Sequence, residues 1–101
     1  CGEHNWMCFH CNVGKVKTDD GRIFSTGLPT GFPDLLIITD TGKTIFCETK
    51  IKPRKPTAEQ KNFINNLINR GHIAFVSYSI DEFILQIQKY YFNHEKCPFL
   101  G

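Results

Sequence analysis

Two carboxylates and an ammonium group stand at spacings that can make a site: Asp34, Glu48 and Lys50. Asp34 opens the apolar run Leu35-Leu36-Ile37-Ile38, and Glu48 and Lys50 close the run that follows the turn Asp40-Thr41-Gly42-Lys43. In a strand alternate side chains point to opposite faces, so Glu48 and Lys50 share one face while Cys47 and Thr49 share the other. A hairpin turning at residues 40–43 sets Leu35 or Asp34 opposite residues 48 to 49 and brings the two carboxylates close. Two such groups repel unless a proton or a cation lies between them, and an oxygen-rich pair with open positions suits Mg²⁺ or Mn²⁺. A divalent ion held there polarises a phosphodiester and lowers the pKa of a bound water, while Lys50 adds a fixed positive charge beside the phosphate. Taken without context the spacing has a plainer reading, in which Asp34 begins a strand, Glu48 and Lys50 form a surface ion pair, and nothing is catalysed.

The elements that must position these groups follow from hydrophobic period and turn chemistry. Trp6 to Lys17 reads as extended, Asp19-Asp20-Gly21 as a turn, and Arg22 to Phe24 as the returning strand of a first hairpin. An irregular loop, Gly27-Leu28-Pro29-Thr30-Gly31-Phe32-Pro33, leads into a second hairpin with strands over Asp34 to Thr39 and Thr44 to Lys50. The basic, proline-containing stretch Ile51-Lys52-Pro53-Arg54-Lys55-Pro56 excludes regular structure. Thr57-Ala58-Glu59-Gln60 is a capping box, and Phe63, Ile64, Leu67 and Ile68 share a helical face, which predicts a helix over about 58 to 70, ended by Gly71. His72 to Tyr78 is a short apolar strand, and Ser79-Ile80-Asp81-Glu82 is a second capping box opening a helix with Phe83, Ile84, Ile87, Tyr90 and Tyr91. The predicted order is ββββαβα. A helix between two strands requires a crossover and a parallel pair, so the expected class is α/β, or α+β on a strict definition, with a mixed sheet flanked by helices.

Size and composition agree with one such unit. The 101 residues fit a single domain, divided into front hairpins over 5–50, a basic linker over 51–56, an αβα unit over 57–92 and a tail over 93–101. With 41% apolar residues and 13% aromatic residues the chain can bury a core, which excludes disorder as its main description. No apolar run reaches the ~18 residues of a membrane span. No basic-then-apolar leader opens the chain, so the expected setting is intracellular and the expected cysteines are unpaired. The chain opens on Cys1 instead of Met, which leads us to expect a further element upstream. The formal charge of +2 is uninformative as a total, but residues 50–70 carry six cations and one anion. Lys52, Arg54 and Lys55 follow the proposed active strand directly and are candidate phosphate contacts, with Lys15, Lys17 and Arg22 of the first hairpin as a second set. No base-reading motif is visible, so recognition by shape and backbone is expected.

Asn12, Gly14, Gly21-Arg22, Gly27-Leu28, Gly31-Phe32-Pro33-Asp34, Glu48-Thr49-Lys50, Thr57-Ala58-Glu59-Gln60, Phe63 and Gly71 with the apolar strand after it stand in an order that resembles the VRR-NUC branch of the PD-(D/E)xK nuclease superfamily. The resemblance covers roughly residues 5 to 90. It implies a restriction-endonuclease-like core and Mg²⁺- or Mn²⁺-dependent cleavage of DNA phosphodiesters. It further implies that Asp34, Glu48 and the main-chain carbonyl of Thr49 are metal ligands, that Lys50 orients or activates the attacking water, and that Gln60 stands beside the site. Small stand-alone members, many of them phage-encoded, resemble Holliday-junction resolvases. That implies branched DNA as substrate, roles in DNA repair and recombination, a homodimer, and the cytoplasm of a bacterial or phage-infected cell. Domains of this type usually begin with a helix bearing one more acidic ligand; Glu3 is the only acidic residue before Trp6 and is the candidate for it.

Two other classes compete with the enzyme reading. One is a non-catalytic DNA-binding or assembly module of the same fold. The other is a zinc-stabilised interaction domain, because Cys8-Phe9-His10-Cys11 with Cys1 and His4 nearby offers a half-site, although Cys97 and His94 are the only distant candidates for the rest. As a strand, Cys8 and His10 share one face and Phe9 and Cys11 the other, the ordinary pattern of a partly buried strand.

Overall fold

The computed structural model describes residues 5–11, 15–17, 23–25 and 31–101, with the two segments 15–17 and 23–25 described by their backbone alone. The chain is a small mixed α/β domain. Its strands are β1 (Met7–His10), β2 (Lys15–Lys17), β3 (Ile23–Ser25), β4 (Leu35–Ile38), β5 (Thr44–Thr49) and β6 (Ile73–Ser77), and its helices are α1 (Ala58–Asn69) and α2 (Ile80–Ile87). A π-helical turn, Gln88–Phe92, continues α2. A four-stranded sheet runs β1-β4-β5-β6, and β2 and β3 pair separately as an antiparallel ribbon.

The predicted order is corrected at the front, where Trp6 to Lys17 is two strands. Met7–His10 leaves the hairpin and pairs antiparallel with β4, Met7 opposite Ile38 and His10 opposite Leu35, which leaves only Lys15–Lys17 to pair with Ile23–Ser25. Local sequence marks extended backbone but does not say which partner a strand takes, and β4 had a free side for β1 to fill. All four residues of β1 are exposed, contrary to the partly buried pattern expected of it. The second hairpin forms where predicted, but its register sets Leu35 opposite Cys47 and Ile38 opposite Thr44, so Leu35 does not face residues 48 to 49 and of the expected alternatives only Asp34 against Glu48 remains. Its turn closes through Thr39 N–H to the Lys43 carbonyl at 2.8 Å, with Gly42 at φ +84°, a conformation that costs a side-chain-bearing residue more than glycine.

β6 lies parallel to β5, reached through the α1 crossover, so the sheet is mixed as the element order required. β5 is thereby central, and its inward residues Ile45 and Cys47 are fully buried. On one face of the sheet Ile64 of α1 packs with Ala74 and Val76, joined by Phe46, Leu67 and Ile68. On the other, Ile37, Ile45, Cys47 and Phe75 pack against Ile87, Tyr90 and Tyr91, so the two tyrosines are core. The segment after the π-helical turn returns to α1, where the Asn65 amide brackets the backbone of Leu100 with bonds of 2.7 and 3.0 Å. No helix among the described residues is long and apolar enough to cross a membrane.

Candidate functional site

The antiparallel register that pairs Leu35 with Cys47 carries one step further to set Asp34 beside Glu48, at the end of the sheet where β5 and β6 finish. Gly31-Phe32-Pro33 fixes the approach. Gly31 has φ +93°, and a Cβ there would lie 2.6 Å from the carbonyl oxygen of Glu59, so only glycine lets this loop rest on the first turn of α1. Pro33 is fully buried, and Phe32 makes edge-on contacts with Phe46 and Phe63, which wedge the loop between β5 and α1.

Asp34 is held by Thr49 through both carboxylate oxygens. The Thr49 N–H donates to Oδ1 at 2.9 Å, and the Thr49 hydroxyl donates to Oδ2. An extended residue turns its N–H and C=O to the same edge of the strand, so the Thr49 carbonyl also looks toward the Asp34 side.

Glu48 is only 5% exposed, which excludes the surface ion pair of the plainer reading. One of its oxygens accepts from the Gln60 side-chain amide at 3.2 Å, and the other, Oε2, is buried with no hydrogen-bond partner. The Gln60 side chain does two jobs. Its Oε1 accepts from the Thr57 N–H at 2.9 Å, completing the capping box in which the Thr57 hydroxyl accepts from the Gln60 N–H, and this leaves Nε2 as the group that must donate to Glu48. Burial, and after it the negative charge of Asp34, raises the Glu48 carboxyl from 4.5 to about 7, against the opposing pull of Lys50 and the Asp34 backbone. A buried carboxylate oxygen with no donor is unstable as it stands, and either a proton or a cation satisfies it.

Lys50 follows the last residue of β5, with its N–H bonded to the Ser77 carbonyl of β6 at 2.9 Å. Ser77 is in turn bonded to Gln86 of α2, whose amide also donates to the Val76 carbonyl at 2.9 Å. The basic loop leaves the same sheet end. Lys52, Arg54 and Lys55 are exposed, the loop turns through the Arg54 N–H to the Ile51 carbonyl at 3.0 Å, and the Lys52 ammonium lies 5.8 Å from the centre of the Tyr78 ring.

The structure therefore brings together Asp34, Glu48, Thr49, Lys50 and Gln60, with the basic loop beside them. Lys15 and Lys17 lie on β2, whose side chains are outside the described set, and Glu3 and Arg22 are outside the described residues. The part sequence reading missed is the Thr49 side chain. Sequence reading gives Thr49 a role through its carbonyl alone, yet its hydroxyl and N–H orient Asp34. A threonine between two polar residues at a strand end is the only signal that points to it.

The donors open to a divalent cation are the Asp34 carboxylate, Glu48 Oε2 and the Thr49 carbonyl. Among the described residues no group of three or more His, Cys, Asp and Glu side chains is placed to hold a metal ion. The disulfide bond of Cys8 removes one thiolate from the zinc half-site and corrects the expectation of unpaired cysteines at that position, while Cys1 and His4 lie outside the described residues. Cys11, Cys47 and Cys97 are free thiols. No family model, curated protein or solved structure matches the chain.

Proposed function

We propose that this chain is a metal-dependent DNA endonuclease with a PD-(D/E)xK core of the VRR-NUC type, acting on branched DNA as a homodimer. The observation that carries the reading is Glu48: a carboxylate buried beside a second carboxylate, positioned by Gln60, and left with one buried oxygen that makes no hydrogen bond. Such a group is costly for folding and earns its place only if something binds it. Asp34, Glu48 and the Thr49 carbonyl would hold Mg²⁺ or Mn²⁺, a small oxygen donor set of the kind Mg²⁺ accepts while keeping several waters. When bound, the ion supplies Lewis-acid polarisation of the phosphate and a more acidic water.

The chain's own residues supply the rest. Thr49 fixes the Asp34 carboxylate, and Gln60 keeps one Glu48 oxygen occupied so that Oε2 remains the available donor. Lys50 stands at the end of the same strand, where its ammonium can orient a water or stabilise charge on a phosphate oxygen. Lys52, Arg54 and Lys55 bind the flanking phosphates without reading bases.

The test is cleavage of labelled linear, flap and four-way DNAs with and without Mn²⁺. Lys50→Ala and Asp34→Asn are expected to lower cleavage by about 10²-fold or more while DNA binding survives. Absence of metal-dependent cutting by the unaltered protein on every substrate would sink the enzyme reading. A second reading, a DNA-binding module without catalysis, is favoured by one observation, the occupation of both Asp34 oxygens by Thr49. Binding in that panel without incision selects it.

A further inference from the structure

Beside the carboxylate site, on the face of the sheet that carries α2, lies an apolar cleft of about 440 Å³. Leu35 and Phe83 are among its lining residues, both partly buried, together with Ile51 and Ile80, which are 81% and 78% exposed. Two isoleucines so exposed, facing one cleft, are unusual on a surface whose neighbouring segment is strongly basic. The cleft is continuous with the candidate site because Thr49, which holds Asp34, and Lys50 both line it.

We infer that this cleft receives an unstacked nucleobase from the strand whose phosphate is addressed by Asp34, Glu48 and Lys50. The inference rests on the nuclease reading and deepens it by naming the substrate feature: DNA in which a nucleotide next to the scissile phosphate is unpaired or easily extruded. Three features select this occupant. The cleft is apolar but Lys50 is among its lining residues, and the Lys52 ammonium lies 5.8 Å from the ring centre of Tyr78, another lining residue, which suits a flat base attached to an anionic backbone. Its volume lies within the ~300–1,000 Å³ of small-ligand sites, so a single nucleoside fits. A base held in a duplex cannot leave its stack to enter a side cleft without an energetic cost, and that cost is least at a flap, a gap or a branch point.

Ile51 and Ile80 make the test clean, because side chains so exposed are replaced with little effect on folding. The probe is a flap DNA with 2-aminopurine next to the cleavage position, bound with Ca²⁺ in place of Mg²⁺ so that binding is read without turnover. Fluorescence is expected to rise on binding as the base leaves its stack, and the double variant Ile51→Ser, Ile80→Ser is expected to abolish the rise. The same variant is expected to lose about tenfold in kcat/KM on the flap while its slower rate on fully paired duplex is unchanged. Equal fluorescence in variant and unaltered protein, or equal losses on flap and duplex, overturns the inference and leaves the nuclease standing. A fluorescence rise that depends on both isoleucines, in a protein that cuts nothing with Mn²⁺, overturns the nuclease reading and keeps the cleft. A dimer by sedimentation that the variant dissolves, with the fluorescence rise intact, assigns the cleft to a second copy of the chain and overturns the inference.

Discussion

At the scale of residues the decisive contrast is between Asp34 and Glu48, two carboxylates in adjacent positions with opposite surroundings. Asp34 has donors on both oxygens, whereas Glu48 has one oxygen satisfied and one orphaned in the interior. Their difference sets a pH signature for the metal-free protein. Because the folded carboxyl of Glu48 is raised from 4.5 to about 7, the native state holds its proton more tightly than the unfolded chain. This group's contribution to stability is therefore fully present below pH 4.5 and declines as pH rises through about 7. Glu48→Gln, which keeps the shape and cannot ionise, is expected to stabilise the metal-free protein at pH 8 by on the order of 3 kcal/mol at most, with no gain at pH 4, measured by urea unfolding at both pH values. Mn²⁺ is expected to raise the melting temperature of the unaltered protein at pH 8 and to leave Asp34→Asn unmoved. A Glu48→Gln protein that loses stability at pH 8 contradicts the buried-charge account. Gln60→Leu removes the amide that serves both Thr57 and Glu48, so it is expected to cost about 1–3 kcal/mol and to push the Glu48 titration further up, readable by carboxyl NMR.

At the scale of elements the site is a meeting of three pieces: the loop before β4, the end of β5 and the first turn of α1. Each is fixed by local chemistry. The capping box starts α1 at Ala58 and, through Gln60, ties that start to Glu48. The close approach of Gly31 to the Glu59 carbonyl sets how near the loop can come. Gly31→Ala is expected to destabilise by about 2 kcal/mol or more, because the added carbon meets backbone that cannot swing aside and the φ is unfavourable. Its effect on metal affinity, read by titration calorimetry, should exceed that of Thr57→Ala, which removes a cap worth about 1 kcal/mol but leaves the loop seated. The helices were legible in sequence almost to the residue, since capping boxes and an apolar face are local signals: α1 runs to Asn69 where about 70 was expected. α2 keeps the Ser79 cap, with Glu82 N–H to the Ser79 hydroxyl at 3.1 Å, but gives way at Gln88 to the π-helical turn. That turn puts Tyr90 and Tyr91 side by side in the core, where Tyr91 reaches Thr41 at 2.7 Å.

At the scale of the molecule, two packed faces hold the sheet, and the candidate site residues lie at the end where β5 finishes and α1 begins. Ile64, fully buried against Ala74 and Val76, is the anchor of the α1 face, and Ile64→Ala is expected to cost about 2–5 kcal/mol in urea unfolding. The charge distribution also belongs to this scale. A net +2 chain would bind DNA weakly if its cations were scattered, but the loop gathers Lys52, Arg54 and Lys55 at the site end. Replacing any one of them with Ala is expected to reduce the slope of log affinity against log salt by about 1 and to weaken binding equally across sequences.

The sequence by itself determined the α/β class, the second hairpin with its register left between alternatives, both helix starts and the grouping of Asp34, Glu48 and Lys50, because all of these follow from spacing, turn residues and side-chain alternation within a short stretch of chain. Tertiary structure decided that β1 pairs with β4, that Glu48 is buried with an orphaned oxygen, that Thr49 holds Asp34, and that a cleft opens beside Lys50. Each of these depends on which distant segments come to lie against one another and on how much water they exclude, and neither quantity is written in any local pattern.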